Sequence, residues 1–171
     1  MRKKTRSLLY RPFVHASALL ACSTTPVWSE PLSSIGRLQR NSSQCSLKIP
    51  GEPPQDCRVV QVDRKAESVV RFRFIGTSQT KPVITSLSFV SAKPNNPPPL
   101  RCNEGRCQLK TTSTWVSPVV SAAESFNDTL GLSTGIPKAW PARGQCRISK
   151  TLTACEATRS DGQTVKAEAR F

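Results

Sequence analysis

The segment 100–109 constrains the fold more than any other part of the chain, because it reads L-R-C-N-E-G-R-C-Q-L and is nearly symmetric about its centre. A two-residue turn at 104–105 would place Cys102 directly opposite Cys107 on neighbouring strands. This is a non-hydrogen-bonded position, where Cα atoms lie about 4.5 Å apart, a distance that a disulfide can span. The segment therefore predicts a β-hairpin closed by a disulfide bond.

Two further cysteine pairs are spaced for the same kind of cross-link. A two-residue turn at 150–151 would oppose Cys146 with Cys155, and the chain between Cys45 and Cys57 is a Pro-Gly loop that returns on itself. The spacings match neither a C-x-x-C redox motif nor the familiar zinc motifs. Three structural disulfides are therefore expected, and although six cysteines allow other connectivities, the spacing favours Cys45 with Cys57, Cys102 with Cys107 and Cys146 with Cys155.

The N-terminal residues have the charge pattern of an export signal. Residues 1–11 include five basic residues and no acidic one, and the mostly apolar stretch 13–21 follows. That stretch is shorter than the roughly 20 residues of a membrane-spanning helix. Cleavage is expected after Ser29, which removes a signal peptide of residues 1–29. Alternatively, L-L-A-C resembles a bacterial lipobox, and cleavage before Cys22 would leave that cysteine lipidated.

The remaining chain has the size of one domain. Without residues 1–29, 142 residues remain, with 20 of the 25 basic residues and all 11 acidic ones, so the net charge is +9. Residues 30–44 are polar and rich in serine, which predicts a flexible tether, and residues 45–171 are expected to form a single all-β domain. We expect the protein outside the cytoplasm, either secreted, periplasmic or anchored at the cell surface by a lipid.

Removal of residues 1–29 would also exclude most catalytic chemistry, because it would remove the single histidine of the chain. Residues 1–29 contain His15, Tyr10 and Met1, each the only residue of its type in the chain. Without histidine there is no Ser-His-Asp triad, no Cys-His pair and no zinc or haem site built on imidazole. The carboxylates show no paired spacing. We therefore expect a protein that is not an enzyme and uses no metal or cofactor, and a hydrolase based on carboxylates alone is the least favoured alternative.

From residue 45 onward, alternating Val, Thr, Phe and Leu residues are separated by Gly, Pro and Asn clusters, as in antiparallel strands. We expect about nine strands, built from hairpins into a β-sandwich or an open barrel cross-linked by the disulfides, with at most one short helix. That helix would begin at 117–118 and run to Phe126, although a strand to Ser121 is almost as well supported. Before this segment, the strand through Cys107 is expected to continue to about Pro118.

Strand register predicts which residues face the core. Pairing Arg64 with Ser68 places five apolar residues on one face: Val60, Val62, Val70, Phe72 and Phe74. A two-residue turn at 161–162 places Leu152 and Ala154 on the inner face and Cys155 on the wetter side. The proline-rich connection 91–99 is expected to be exposed. The long loop before residue 144 is expected to be held down by three apolar residues: Leu132, Ile136 and Trp140.

Four arginines are candidate anion-binding residues. Arg71 and Arg73 alternate with phenylalanines on one strand, while Arg101 and Arg106 flank the 102–107 disulfide on the face away from the cysteines. A solvated strand face explains the same pattern, so these residues are candidates only. The expected partner is an anionic polysaccharide or another envelope component, without specific nucleic-acid binding, and contact with a membrane is expected only through a lipid on Cys22.

Three functions compete. The first is an exported, non-catalytic β domain that binds an anionic envelope or extracellular polymer or packs into an envelope assembly. The second is a protease inhibitor that presents the proline-rich loop K-P-N-N-P-P-P-L-R-C. The third is the carboxylate-only hydrolase.

Overall fold

The structure is a computed structural model that describes residues 35–77, 83–92 and 96–171. The expected signal peptide 1–29 and Cys22 lie outside these residues. None of the described segments is a helix of the length and apolarity that a membrane span requires. The described residues form eleven strands: β1 (Gly36–Asn41), β2 (Gln44–Lys48), β3 (Gln55–Arg64), β4 (Val69–Thr77), β5 (Ile84–Ala92), β6 (Leu100–Asn103), β7 (Gly105–Leu109), β8 (Trp115–Asn127), β9 (Lys138–Ile148), β10 (Leu152–Arg159) and β11 (Thr164–Arg170).

Eight of these strands close into an antiparallel barrel. Their order around the barrel is β2-β3-β4-β5-β8-β9-β10-β11, and β11 pairs back with β2. Closure depends on β2, which pairs with β3 through Ser46 and Asp56 and with β11 through Cys45 and Ala169. The expected all-β fold is therefore confirmed, and of the two expected architectures the structure has the barrel and not the sandwich. The barrel is closed instead of open, because the short strand β2 joins the first and last hairpins of the meander.

The three remaining strands extend the sheet beyond the barrel. β1 pairs with the C-terminal half of β3, β7 runs parallel to β1, and β6 pairs with β7. The backbone N–H groups of Ser42 and Ser43 donate to the carbonyls of Arg58 and Arg170, both at 2.9 Å, where the chain passes from β1 into β2. The flexible tether expected over 30–44 is thus wrong from residue 36 onward, since this polar stretch supplies strand hydrogen bonds.

Apolar side chains fill the barrel. Phe74 and Phe89 meet edge to face with ring centroids 6.1 Å apart, and Phe72 stacks against Trp115 at 6.4 Å. The interior of an eight-stranded barrel is just wide enough to be filled by its own side chains. The largest fully buried residues are Phe72, Phe74, Phe89, Leu47, Leu87, Ile148, Val60, Val62, Val70, Val165, Thr85 and Thr153.

The two tightest hairpins have the predicted registers. Cys102 lies opposite Cys107 across the Glu104-Gly105 turn, at which both residues have positive φ, 48° and 76°. Cys146 lies opposite Cys155. All three cysteine pairs favoured by the spacing are bonded: Cys45–Cys57, Cys102–Cys107 and Cys146–Cys155.

The β3–β4 hairpin has a shifted register but the predicted faces. Arg64 pairs with Val70 instead of Ser68, because the Lys65 N–H bonds to the Val69 carbonyl at 2.9 Å and the turn lies one residue later. This changes the pairing by two residues, and the side-chain period of a strand is also two. The five predicted apolar residues are therefore all buried: Val60, Val62, Val70, Phe72 and Phe74.

In the β10–β11 hairpin, strand β10 was predicted with the wrong face inward. Its turn contains three residues, 160–162, because Gly162 has φ of 81° and the Arg159 N–H bonds to the Gln163 carbonyl. The extra residue pairs Ala157 with Val165 and turns Cys155 into the barrel, where it is 3% exposed. The third disulfide is therefore part of the core and not of the wetter side.

Strand β8 replaces the expected helix at 117–126. It pairs with β5 on one side and with β9 on the other, and a bulge between Val119 and Ser121 leaves Val120 half-exposed. The strand expected to continue from Cys107 to Pro118 is also interrupted, at 110–114. This segment is a strand because its backbone groups form hydrogen bonds with the two flanking strands. No described residue is helical.

Two connections differ from expectation. In the loop between β8 and β9, Leu132 and Ile136 are exposed, 65% and 93%, so they do not hold it against the core; only Trp140, in β9, is partly buried. In the proline-rich connection, residues 93–95 lie outside the described residues, and Pro98 is buried instead of exposed.

Candidate functional site

The candidate site is a basic surface on the outer side of four strands. Alternation along β1 and β3 turns Leu38 and Val62 toward the core and their neighbours outward. Register then aligns one residue from each strand in the order Arg106 (β7), Arg37 (β1), Asp63 (β3) and Arg71 (β4). We call this surface the arginine face and define it as Arg37, Asp63, Lys65, Arg71, Arg73 and Arg106.

Asp63 lies at the centre of the arginine face, and its side chain is only 3% exposed. The Arg37 Nε donates to Oδ1 at 2.6 Å. The Arg71 Nε and Nη2 donate to Oδ2 at 3.0 and 2.5 Å, and the Lys65 Nζ is 3.9 Å from the same oxygen. One buried carboxylate therefore orients two guanidinium groups that would otherwise repel each other.

The charged groups of this cluster shift the pKa values of Asp63 and Arg73. Burial raises the pKa of Asp63, but hydrogen bonds and positive charge from Arg37 and Arg71 outweigh burial, so the pKa lies below its ordinary value. Burial lowers the pKa of Arg73, and the charges of Arg71 and Arg37 lower it further. The cluster thus has more positive charge than its single acid neutralises, which favours an added anion.

A groove of about 660 Å³ runs along this face between β1, β7 and the end of β3. Arg37 binds Asp63 through Nε, and its side chain remains 45% exposed, so its Nη groups can reach the groove. Arg64 is oriented differently, because its Nη1 donates to the Leu100 carbonyl at 3.0 Å and joins the β6–β7 hairpin to the barrel. Six polar residues line the groove: Arg37, Gln39, Asp63, Arg64, Lys65 and Arg106.

Three of the four predicted anion-binding residues lie on one outer face, on which Arg106 is three strand spacings, roughly 14 Å, from the strand of Arg71 and Arg73. Arg71, Arg73 and Arg106 belong to the arginine face, whereas Arg101 lies on β6, at the edge of the sheet. Arg101 shares its outward side with Arg106, but four strand spacings, roughly 19 Å, separate its strand from that of Arg71.

Sequence reasoning missed the two residues that organise this surface. Arg37 lies in the stretch interpreted as a tether, although R-L-Q-R alternates there as in a strand. Asp63 follows the alternating V-V-Q-V and lies directly opposite Arg71 in the observed register. A strand pairing between residues 36–41 and β3 was the missing information, because it places Arg37 directly opposite Asp63.

The described residues contain no group of three or more His, Cys, Asp or Glu side chains arranged to hold a metal ion. Comparison with models of known protein families, with curated protein sequences and with solved structures finds no match.

Proposed function

We propose that the protein is a non-catalytic domain that binds an anionic polymer of the cell envelope or extracellular space on its arginine face. The observation that carries this proposal is the pairing of Arg37 and Arg71 with a single buried acid, with Arg73 and Arg106 on the same outer face, beside an open groove. Three disulfides are consistent with an oxidising, extracytoplasmic compartment, where such polymers occur.

The binding mechanism is electrostatic with fixed geometry. Asp63 holds Arg37 and Arg71 in place, so fewer side-chain rotamers have to be ordered when a sulfate, phosphate or carboxylate binds. Successive anionic groups of a polymer would contact successive strands, which lie about 4.8 Å apart. Counterions are released on binding, so affinity falls steeply as the salt concentration rises.

The experiment compares two variants with equal loss of charge. The double variant Arg73→Gln with Arg106→Gln removes two cations of the arginine face without removing a hydrogen-bond partner of Asp63. Arg143→Gln with Arg147→Gln removes two exposed cations of β9, which lies on another side of the barrel. Binding of both variants to dextran sulfate, polyphosphate and polygalacturonate is measured by calorimetry at several salt concentrations.

We expect saturable binding to at least one polymer, weakened about tenfold or more by the arginine-face variant and less than about threefold by the β9 variant. The salt dependence should also become shallower only in the arginine-face variant. Equal weakening by the two variants would show attraction to net charge alone, and failure of all three polymers to saturate would remove the proposal.

A further inference from the structure

A second polar site lies inside the barrel, at the end where β3 begins and β8 ends. Three inward-facing polar residues lie there among apolar neighbours: Gln55, Thr85 and Glu124, which are 6%, 0% and 4% exposed. Glu124 is in register with Leu87, a residue of the core, and so faces the barrel interior. We call this end of the interior the barrel mouth.

Register places these three residues close together. Glu124 pairs with Leu87, so Thr85, two residues earlier on β5, is its diagonal neighbour across the strand pair. Gln55 lies on the inner side of β3 two residues before Cys57, and Cys57 pairs with Gly76, which pairs in turn with Thr85. The three side chains therefore face the same end of the barrel interior.

Each of the three residues has an oxygen without a hydrogen-bond partner in the part of the chain that the structure describes. These atoms are Gln55 Oε1, Thr85 Oγ1 and Glu124 Oε1. The Gln55 amide nitrogen is used, because it donates to a carboxylate oxygen of Glu52. Buried polar atoms in folded proteins are almost always paired, so three unpaired oxygens that face the same end of the barrel are available to a donor that the described side chains do not supply.

Four charged groups belong to this region in addition to Glu124. The Arg159 guanidinium lies 4.2 Å from the centroid of the Trp140 ring and pairs with Asp161, while its buried Nε has no hydrogen-bond partner among the described residues. Lys138 is directly opposite Glu124 in register, yet the two do not form an ion pair within 4.0 Å. Burial and then the charge of Glu52 raise the pKa of Glu124, whereas Lys138 and Arg159 lower it.

We propose that the barrel mouth binds a primary ammonium group, carried by a small amine or by a lysine side chain of a peptide. An ammonium group has three N–H donors, and the mouth offers three unpaired oxygens, one of them a carboxylate. This site is separate from the arginine face and does not depend on the proposed function.

The test uses the whole protein with Trp28→Phe and Trp115→Phe, so that Trp140, beside the mouth, is the one tryptophan whose fluorescence is recorded. Three probes are titrated: n-butylamine, Nα-acetyl-lysine methylamide and butyltrimethylammonium, which has the same charge as butylamine but no N–H donor. Glu124→Gln is the site variant because it keeps the shape of the side chain. Glu168→Gln, half-exposed on β11, is the matched control.

We expect saturable responses to the two primary amines, with the tighter one identifying the source of the ammonium group. Affinity should fall about tenfold or more for butyltrimethylammonium and in Glu124→Gln, and stay unchanged in Glu168→Gln. Equal binding of butyltrimethylammonium, no effect of Glu124→Gln, or no saturation below about 10 mM amine would overturn the proposal.

A lysine of this chain could supply the ammonium group to the barrel mouth instead of an external ligand. Lys138 and Lys81, of which the latter lies outside the described residues, are replaced by Gln together and the titrations are repeated. Unchanged amine binding supports an external ligand. Amine binding that appears only in the double variant would show that a lysine of the protein itself occupies the mouth, and the proposal of a ligand site would fail.

Discussion

Asp63 and Glu124 are both buried carboxylates on strands of the same sheet, 2% and 4% exposed, but their surroundings are opposite. Asp63 accepts hydrogen bonds from two arginines, and its pKa is lowered although burial alone would raise it. Glu124 Oε1 has no hydrogen-bond partner among the described residues, and burial, followed by the nearby Glu52, raises its pKa.

The side of the barrel wall on which each acid lies explains the difference. On the outside, long arginine side chains from both flanking strands can cover Asp63 while their charged ends stay in water. Inside, the residues in register with Glu124 are the core residue Leu87 on one side and Lys138, with its charge beyond contact distance, on the other. A buried acid is thus stabilising in one place and costly in the other.

The largest effect is expected from Asp63→Asn. It leaves Arg37 and Arg71 facing each other without a counter-charge and should lower the free energy of unfolding by about 2 kcal/mol at pH 7; the partial exposure of both arginines keeps this below the loss for a fully buried pair. Asp56→Asn, exposed on the same strand, is the control in urea unfolding.

The pH dependence of this effect follows from the lowered pKa of Asp63. The stabilisation is fully present above the ordinary value of 3.8 and is lost as the pH falls from there through the folded-state pKa. The difference between wild type and Asp63→Asn should therefore shrink below pH 3.8. A difference that stays constant down to acid denaturation would mean that the charge of Asp63 is not what stabilises the fold.

Glu124→Gln should have the opposite effect on stability. Removing a buried charge without a contact partner is expected to raise the free energy of unfolding by about 1 kcal/mol at pH 7 in amine-free buffer. Because the folded-state pKa is raised, the cost of the charge is absent below the ordinary value of 4.5 and grows as the pH rises through the folded-state value. A variant less stable than wild type at pH 7 would contradict this account.

Lys138→Gln should have the smallest effect. Its charge favours ionised Glu124 from across the strand pair, so its removal should destabilise the protein by about 0.5 kcal/mol at pH 7. In the Glu124→Gln background the same substitution should have no effect. A double-mutant cycle measures this coupling, and a coupling energy of zero would show that Lys138 and Glu124 do not interact.

Prediction of the fold from sequence succeeded where the turn was local and unambiguous. The Glu104-Gly105 turn and the 150–151 turn gave correct registers because two residues leave little freedom for the strands that they join. At 160–162 a glycine with positive φ made a three-residue turn, and this one residue reversed the inner face of β10. The β3–β4 turn was misplaced too, but by an even number of residues, so the core was still correct.

The sequence also predicted part of the arginine face. Arg71, Arg73 and Arg106 were recognised as outward-facing because each lies on a strand with a clear alternation of its own. Arg37 was not found, because β1 is too short and too polar to be recognised as a strand before its partner β3 is known. The inward orientation of Glu124 was hidden by the bulge in β8, which changes the side of the strand that faces inward.

The sequence by itself determined that this is an all-β protein with three local disulfides and a strongly basic composition, since each property depends on residue type and short spacing. Only the tertiary structure decided that the barrel closes, that arginines from separate strands meet at Asp63, and that Glu124 faces the interior. These features depend on pairings between distant strands such as β2 with β11, which no short-range pattern encodes.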